Sequence, residues 1–360
     1  MLKSSLIVFL IAACATIGFA EESGKVRQPK LTPQKSGTTQ LLIDVNPVNS
    51  RVVWAAGTGG TYVVTTDGGE NWKAAVVPGA ENLQFRDVYG VSDKVAYLMS
   101  IGASTSDFRI YNGGATWTIQ FTNETANALY DCFAFWTPRR GITHSDSVNG
   151  VFPHIRTSNG MTWHSIAANM PAALPGEASF AASGNCATTE RERNAWIATG
   201  GSTVARILAT IDGGNTWKAY DTPLVSSPSA SGISVAFRDA WHGILGGGDL
   251  ASNDAADMAT SEDGGQTWTL TNKPPVHGAI FCLAYVRGNR HDDNQEEFDH
   301  EHDHAVVITA ETEPNFSSDA AAWTPDEGRT WFELPQVSGY WVSVLRIRKP
   351  DGSWAMADRS

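Results

Sequence analysis

The stretch Thr65-Thr66-Asp67-Gly68-Gly69-Glu70-Asn71-Trp72 recurs along this 360-residue chain. It returns as Thr210-Ile211-Asp212-Gly213-Gly214-Asn215-Thr216-Trp217, as Ser261-Glu262-Asp263-Gly264-Gly265-Gln266-Thr267-Trp268 and as Thr324-Pro325-Asp326-Glu327-Gly328-Arg329-Thr330-Trp331. Two degenerate copies lie between, Asn112-Gly113-Gly114-Ala115-Thr116-Trp117 and Ser158-Asn159-Gly160-Met161-Thr162-Trp163. The six tryptophans stand at 72, 117, 163, 217, 268 and 331, at steps of 45, 46, 54, 51 and 63 residues. A period of that length is one four-stranded sheet of a ring of repeated sheets.

Local chemistry gives the motif a structural role. Asp followed by Gly marks a tight hairpin turn, because glycine adopts positive φ without a Cβ clash. The Asp side chain accepts hydrogen bonds from the backbone of its own turn, and the Ser or Thr two residues earlier bonds the same turn. The Trp opens the next strand and offers a large ring for packing. Asp67, Trp72, Asp212, Trp217, Asp263, Trp268, Asp326 and Trp331 are therefore read as structural. No Lys-Ser/Thr follows the glycines, so the motif is not a phosphate-binding loop.

Short alternating strands fill each unit, with inner strands near 40–46, 83–89, 129–136, 178–183, 233–237 and 279–286. A last pair, 340–347 and 353–357, begins a unit that lacks the motif. The reading is an all-β, seven-bladed β-propeller, its last blade incomplete or closed by residues 30–39, with six blades as the alternative. Ring closure removes exposed sheet edges.

The chain begins with Lys3, an apolar run from Leu6 to Ala15, and Gly18-Phe19-Ala20 before the acidic Glu21-Glu22, the pattern of a secretory signal peptide over residues 1–20. Residues 21–38 read as a linker or closing segment and 39–360 as the propeller. Ile11-Ala12-Ala13-Cys14 allows a second reading, a lipid-bearing Cys14. Either way the protein is expected to be exported: secreted, periplasmic or in the cell envelope. Three cysteines follow, Cys132, Cys186 and Cys282, all in expected strands. The plain reading is apolar filler, and a Cys132–Cys186 disulfide is the alternative.

The net charge is −12. Much of it lies in 291–304, His-Asp-Asp-Asn-Gln-Glu-Glu-Phe-Asp-His-Glu-His-Asp-His, read as a solvated loop inserted in the sixth unit. His300, His302 and His304 alternate there and are weak metal-ligand candidates. No cofactor is expected, and a mildly acidic surface disfavours nucleic acid.

In a propeller the loops entering each inner strand share one face with those joining second to third strands. The Asp turns occupy the other. Counting back from the turn that follows each inner strand puts Arg86 and Asp131 at equivalent positions in neighbouring blades. Asp87, Asp146 and Glu177 fall on the same face. Arg86, Asp87, Asp131, Asp146 and Glu177 are the candidate ligand-binding residues at the tunnel mouth. Asp131, Asp146 and Glu177 are also candidate acid/base groups. A solvated ion-pair network joining blades is the plain alternative.

The pattern Ser/Thr-x-Asp-x-Gly-x-x-Trp resembles the Asp-box, or BNR repeat, of the sialidase-like propellers. Phe85-Arg86-Asp87-Val88, Tyr130-Asp131-Cys132, Ser145-Asp146-Ser147 and Gly176-Glu177-Ala178 resemble segments of a group of exported bacterial propellers often labelled oxidoreductase. No dinucleotide fingerprint, Cys-x-x-Cys or haem motif supports that label. More distantly the chain is similar to the photosystem II stability and assembly factors, which implies a scaffold role. The sialidase arginine triad is not recognisable, and Phe108-Arg109-Ile110-Tyr111 lacks the Pro of the sialidase segment, so no catalytic residues carry over. The expected function is a non-enzymatic scaffold for a protein or glycan ligand. The alternative is a carbohydrate-active hydrolase or lyase.

Overall fold

The computed structural model describes residues 8–14, 33–101, 109–114, 116–180, 184–252, 256–285, 305–311, 320–334, 345–348 and 354–357. They form an all-β propeller. Six blades follow one another, each a sheet of four consecutive antiparallel strands. Their inner strands are Leu42–Pro47, Gln84–Gly90, Tyr130–Thr137, Ala187–Glu190, Ala230–Phe237 and Ala279–Tyr285, for blades 1 to 6.

The expected count of seven is corrected to six blades of consecutive strands, beside one further sheet that mixes strands from the two ends of the chain. The last unit supplies only two strands, Leu345–Arg348 and Trp354–Ala357, and has no aspartate turn to add a third and fourth. Its sheet is made up instead by Val8–Cys14 and Pro33–Lys35 from the other end of the chain. Val8–Cys14 falls inside the segment read as a signal peptide. The acidic 291–304 insert, with His300, His302 and His304, lies outside the described residues. In blade 4 the inner strand runs over Ala187–Glu190 rather than 178–183, and Ala178 makes only an isolated bridge to Gly200.

Both faces of a blade press on neighbouring blades, so the middle strands are buried throughout, as at Val53–Gly57 and Arg206–Thr210. Fourth strands are half in water, and Lys73–Val76 is exposed along its length. Each interface carries its own apolar cluster. Trp54 packs with Phe85 and Leu98 between blades 1 and 2, and Trp196 with Phe237 and Leu245 between blades 4 and 5. Trp196 and Phe237 lie face to face, centroids 3.5 Å apart. A buried aromatic ring contributes about 2–3 kcal/mol by removal from water.

The turns between third and fourth strands repeat one hydrogen-bond pattern. Thr65 Oγ1 donates to Asp67 Oδ1 at 2.8 Å and accepts the Gly69 N–H at 2.9 Å, while the Asn71 N–H donates to Asp67 Oδ1 at 2.9 Å. Thr210 and Asp212, Ser261 and Asp263, and Thr324 and Asp326 pair in the same way. The backbone and side-chain donors of Asn71 hold the Asp67 carboxylate down at about 2. Gly68, Gly213 and Gly264 take φ of 77°, 76° and 78°. In blade 6 that position is Glu327, with φ 53°.

A second repeat lies at the axis. Five inner strands carry a bulge at one equivalent place, at Ile43, Arg86, Asp131, Ile233 and Phe281. A bulge kinks its strand and re-aims one side chain. In blades 1, 2, 3 and 5 the residue after the bulge latches onto the next blade. Asp44 Oδ2 accepts the Val88 N–H at 2.7 Å, Asp87 Oδ2 the Phe133 N–H at 2.8 Å, and Ser234 Oγ the Leu283 N–H at 3.1 Å. In blade 3 the same place is Cys132, disulfide-bonded to Cys186 of blade 4. From blade 4 the Asn185 carbonyl accepts the Val235 N–H at 3.1 Å.

Candidate functional site

In five of the six blades the bulge brings one side chain to the axis. Ile43, Ile233 and Phe281 cluster with Ala279, and Phe180 packs on them. On the remaining sector stand Arg86 and Asp131, the equivalent residues of adjacent blades. Their sequence spacing is the whole signal for that equivalence, because the bulge keeps the count to the following turn constant.

Arg86 is half-buried, and its Nη2 donates to Gln84 Oε1 at 3.3 Å. Burial pulls its pKa below the ordinary value, and the charge of Asp131 opposes that shift. Asp131 is 2% exposed. Burial pushes its carboxyl well above the usual carboxylate range; the Asp146 carboxylate beside it pushes the same way, and Arg86 opposes. Burial also raises Asp146, opposed by the Ser179 N–H, which donates to its Oδ1 at 2.8 Å, and by Asp131. Burial and the neighbouring carboxyl together favour the protonated form of Asp131, beside Asp146. Asp131 Oδ2 is buried with no hydrogen-bond partner.

The other candidates are committed elsewhere. The Asp87 carboxylate serves the blade 2–blade 3 latch. Glu177 is 1% exposed and saturated: Arg206 Nε donates to Oε1 at 2.8 Å, Arg206 Nη2 pairs with Oε2, Thr199 Oγ1 donates to Oε1 at 2.6 Å and the Leu174 N–H to Oε2 at 2.7 Å. Sequence reading missed Arg206, because the partner sits 29 residues away on another strand. The structure therefore brings together Arg86, Asp131 and Asp146, and turns the side chains of Asp87 and Glu177 away.

A cavity of about 790 Å³ lies on the opposite side of the axial cluster. It is lined by the later halves of the inner strands, among them Tyr89, Phe135, Phe237 and Tyr285. Several lining side chains are spent on packing: Tyr89 stacks on Phe135 at 4.3 Å, and Asn46 Oδ1 accepts the Gly90 N–H at 3.1 Å. Among the described residues no group of three or more His, Cys, Asp or Glu side chains is placed to hold a metal ion. Nor is any helix there long and apolar enough to cross a membrane.

Fold and site together define a β-propeller with a plugged axis and a polar sector built from Arg86, Asp131 and Asp146. Among solved structures the chain is similar to YCF48 from Cyanidioschyzon merolae, with TM-score 0.54 and 15% identity over 89% of this chain and 94% of that one. It is similar to the WD40 β-propeller domain of Doa1, with TM-score 0.52 and 13% identity over 89% and 93%. A match of TM-score 0.42 and 13% identity is the Trypanosoma rangeli sialidase, covering 92% of this chain and 56% of that one. At such identities the likeness is one of fold. No family model and no curated protein matches the chain.

Proposed function

We propose that this chain is an exported, non-enzymatic binding scaffold that engages a protein or glycan ligand at the axial mouth beside Arg86. The observation that carries the reading is the division of the bulge ring. Apolar Ile43, Ile233 and Phe281 fill the axis, and one sector keeps a half-buried guanidinium over a carboxyl pair. That is a small, rigid, amphipathic floor, suited to orienting a ligand with a few polar contacts. The aspartate turns read as Asp-boxes that hold the opposite face. Export is supported by the Cys132–Cys186 disulfide, since such bonds persist in oxidising compartments.

The carbohydrate-active hydrolase or lyase stays as a second reading because of one feature. Two adjacent buried carboxyls, both with raised pKa, are the kind of pair that can divide general acid and general base roles. Against it, Glu177 is locked by Arg206 and Asp131 is sealed from solvent. A glycan array run with the purified chain tests the scaffold reading. Retention of a ligand by the wild type and its loss in Arg86→Ala support it. Equal retention by both proteins removes the mouth from consideration.

A further inference from the structure

On the aspartate-turn face, the loop joining inner to second strand reaches one equivalent point in five blades. In blade 1 the Gly68 N–H donates to the Arg51 carbonyl at 2.9 Å; in blade 4 Gly213 does the same to Arg193 at 2.9 Å; in blade 5 Gly264 does so to Trp241 at 2.8 Å. In blade 2 a Cβ on Gly114 would overlap the Lys94 carbonyl oxygen, and in blade 3 a Cβ on Gly160 would lie 3.2 Å from Arg139 Cα. The equivalent residues are thus Arg51, Lys94, Arg139, Arg193 and Trp241. All five are exposed, Trp241 to 61%. Among the described residues, none of the four cations makes an ion pair.

That pattern is opposed to the composition. A chain of net charge −12 places a cation at the same point of four successive blades. Asp93, Glu190 and Glu192 stand in the same turns; Arg140 adds a further cation there, while Arg191 pairs with Glu190 at 3.9 Å. The aspartates of the neighbouring turns are occupied by their own backbones.

We propose that this arc is a binding track for an acidic polysaccharide. Guanidinium forks pair in a bidentate way with carboxylate or sulfate groups, and equivalent cations on successive blades meet a chain whose charges recur along its length. The arc ends on an exposed indole carried by a fixed turn: the Trp241 backbone N–H donates to Asp239 Oδ1 at 2.7 Å, and its carbonyl accepts the Gly264 N–H at 2.8 Å. Such a ring takes the C–H face of a sugar. The turns offer neither a free strand edge nor a helix groove, the two usual seats of a peptide.

The test is titration of the full chain with polygalacturonate, dextran sulfate, uncharged dextran and polyglutamate at low and high salt. The two acidic polysaccharides bind and dextran does not, with affinity falling about tenfold or more as salt rises from about 0.05 to about 0.2 M. Arg139→Glu with Arg193→Glu weakens binding about tenfold or more, and Trp241→Ala by about threefold to tenfold. All are exposed turn substitutions, and circular dichroism checks that the fold is kept. Absence of binding, or binding unchanged in the Arg double variant, overturns the proposal. So does polyglutamate binding as tightly as the polysaccharides with Trp241→Ala silent, which would assign the arc to acidic peptides.

Discussion

Asp87 of blade 2 accepts the Phe133 N–H of blade 3 at 2.8 Å, and one blade further on the equivalent latch is a covalent bond between Cys132 and Cys186. Near the axis one such contact joins each of the five junctions from blade 1 to blade 6. A charged residue that sequence reading sets among ligand-binding groups is here a joint between blades. Its removal therefore acts on stability before any ligand is present.

Asp87→Ala leaves a buried amide without an acceptor and costs about 1–3 kcal/mol. Asp87→Asn keeps an acceptor oxygen and costs less. Thermal unfolding of the unliganded proteins ranks them wild type, Asn, Ala. An Ala variant as stable as the wild type would remove the latch role.

The Cys132–Cys186 bond spans 54 residues. Restricting the unfolded chain by a loop of that size stabilises by about 2–4 kcal/mol. Reductant, or Cys132→Ser with Cys186→Ser, lowers the denaturation midpoint accordingly. Reductant has no further effect on the double variant.

His144 and His154 face each other in blade 3, Nδ1 to Nδ1 at 3.3 Å, both fully buried. Burial lowers His144 from 6.5 to about 3, and burial, His144 and Arg156 lower His154 well below its ordinary value. The folded form keeps both neutral, while the unfolded chain binds protons below about 6.5. Their contribution is thus intact above about pH 6.5 and is lost as pH falls, at up to about 1.4 kcal/mol per pH unit for each ring. Asp257, raised by burial to about 6, has the opposite slope, its contribution being lost as pH rises. The decisive quantity is a difference: chemical denaturation from about pH 7 to about pH 4.5 shows a shallower acid loss in His144→Phe than in wild type. Coincident slopes would contradict a neutral buried pair.

Glu327 replaces the turn glycine of the other blades and adopts φ 53°. Its carboxylate accepts Arg238 Nε at 2.9 Å and the Tyr285 hydroxyl at 2.8 Å. Elsewhere the preceding blade caps this turn through a carbonyl: Tyr97 on Gly160 at 2.9 Å, Arg156 on Gly213 at 3.1 Å, Trp196 on Gly264 at 2.8 Å. Glu327→Gly relieves about 1 kcal/mol of left-handed backbone strain. It also removes the acceptor of Arg238 Nε and of the buried Tyr285 hydroxyl, worth about 1–3 kcal/mol, and leaves Arg238 only its pair with Asp239. A net loss of stability is expected in thermal unfolding. A gain would show that backbone strain outweighs the two hydrogen bonds.

The blade pitch and the turn chemistry were legible because they are local: Asp, Gly and Trp at fixed spacing specify a hairpin whatever surrounds it. The equivalence of Arg86 and Asp131 was legible for the same reason, as a constant distance to the following turn. The blade count was not, since the last unit has no such turn. Partnership across blades was not either. Glu177 looks like a free acid until Arg206 is folded onto it, and Asp87 looks like Asp131 although successive strand residues point to opposite faces. The basic arc escaped notice because single cations before each second strand form no motif until the ring stacks them.

The central claim is that the mouth beside Arg86 binds without turnover. It is tested most directly by incubating the purified chain with a panel of chromogenic glycosides and polysaccharides, beside Asp146→Asn. The account predicts no product above background from either protein. Product released by the wild type and abolished in a folded Asp146→Asn would contradict it, and would make the Asp131–Asp146 pair the centre of an enzyme.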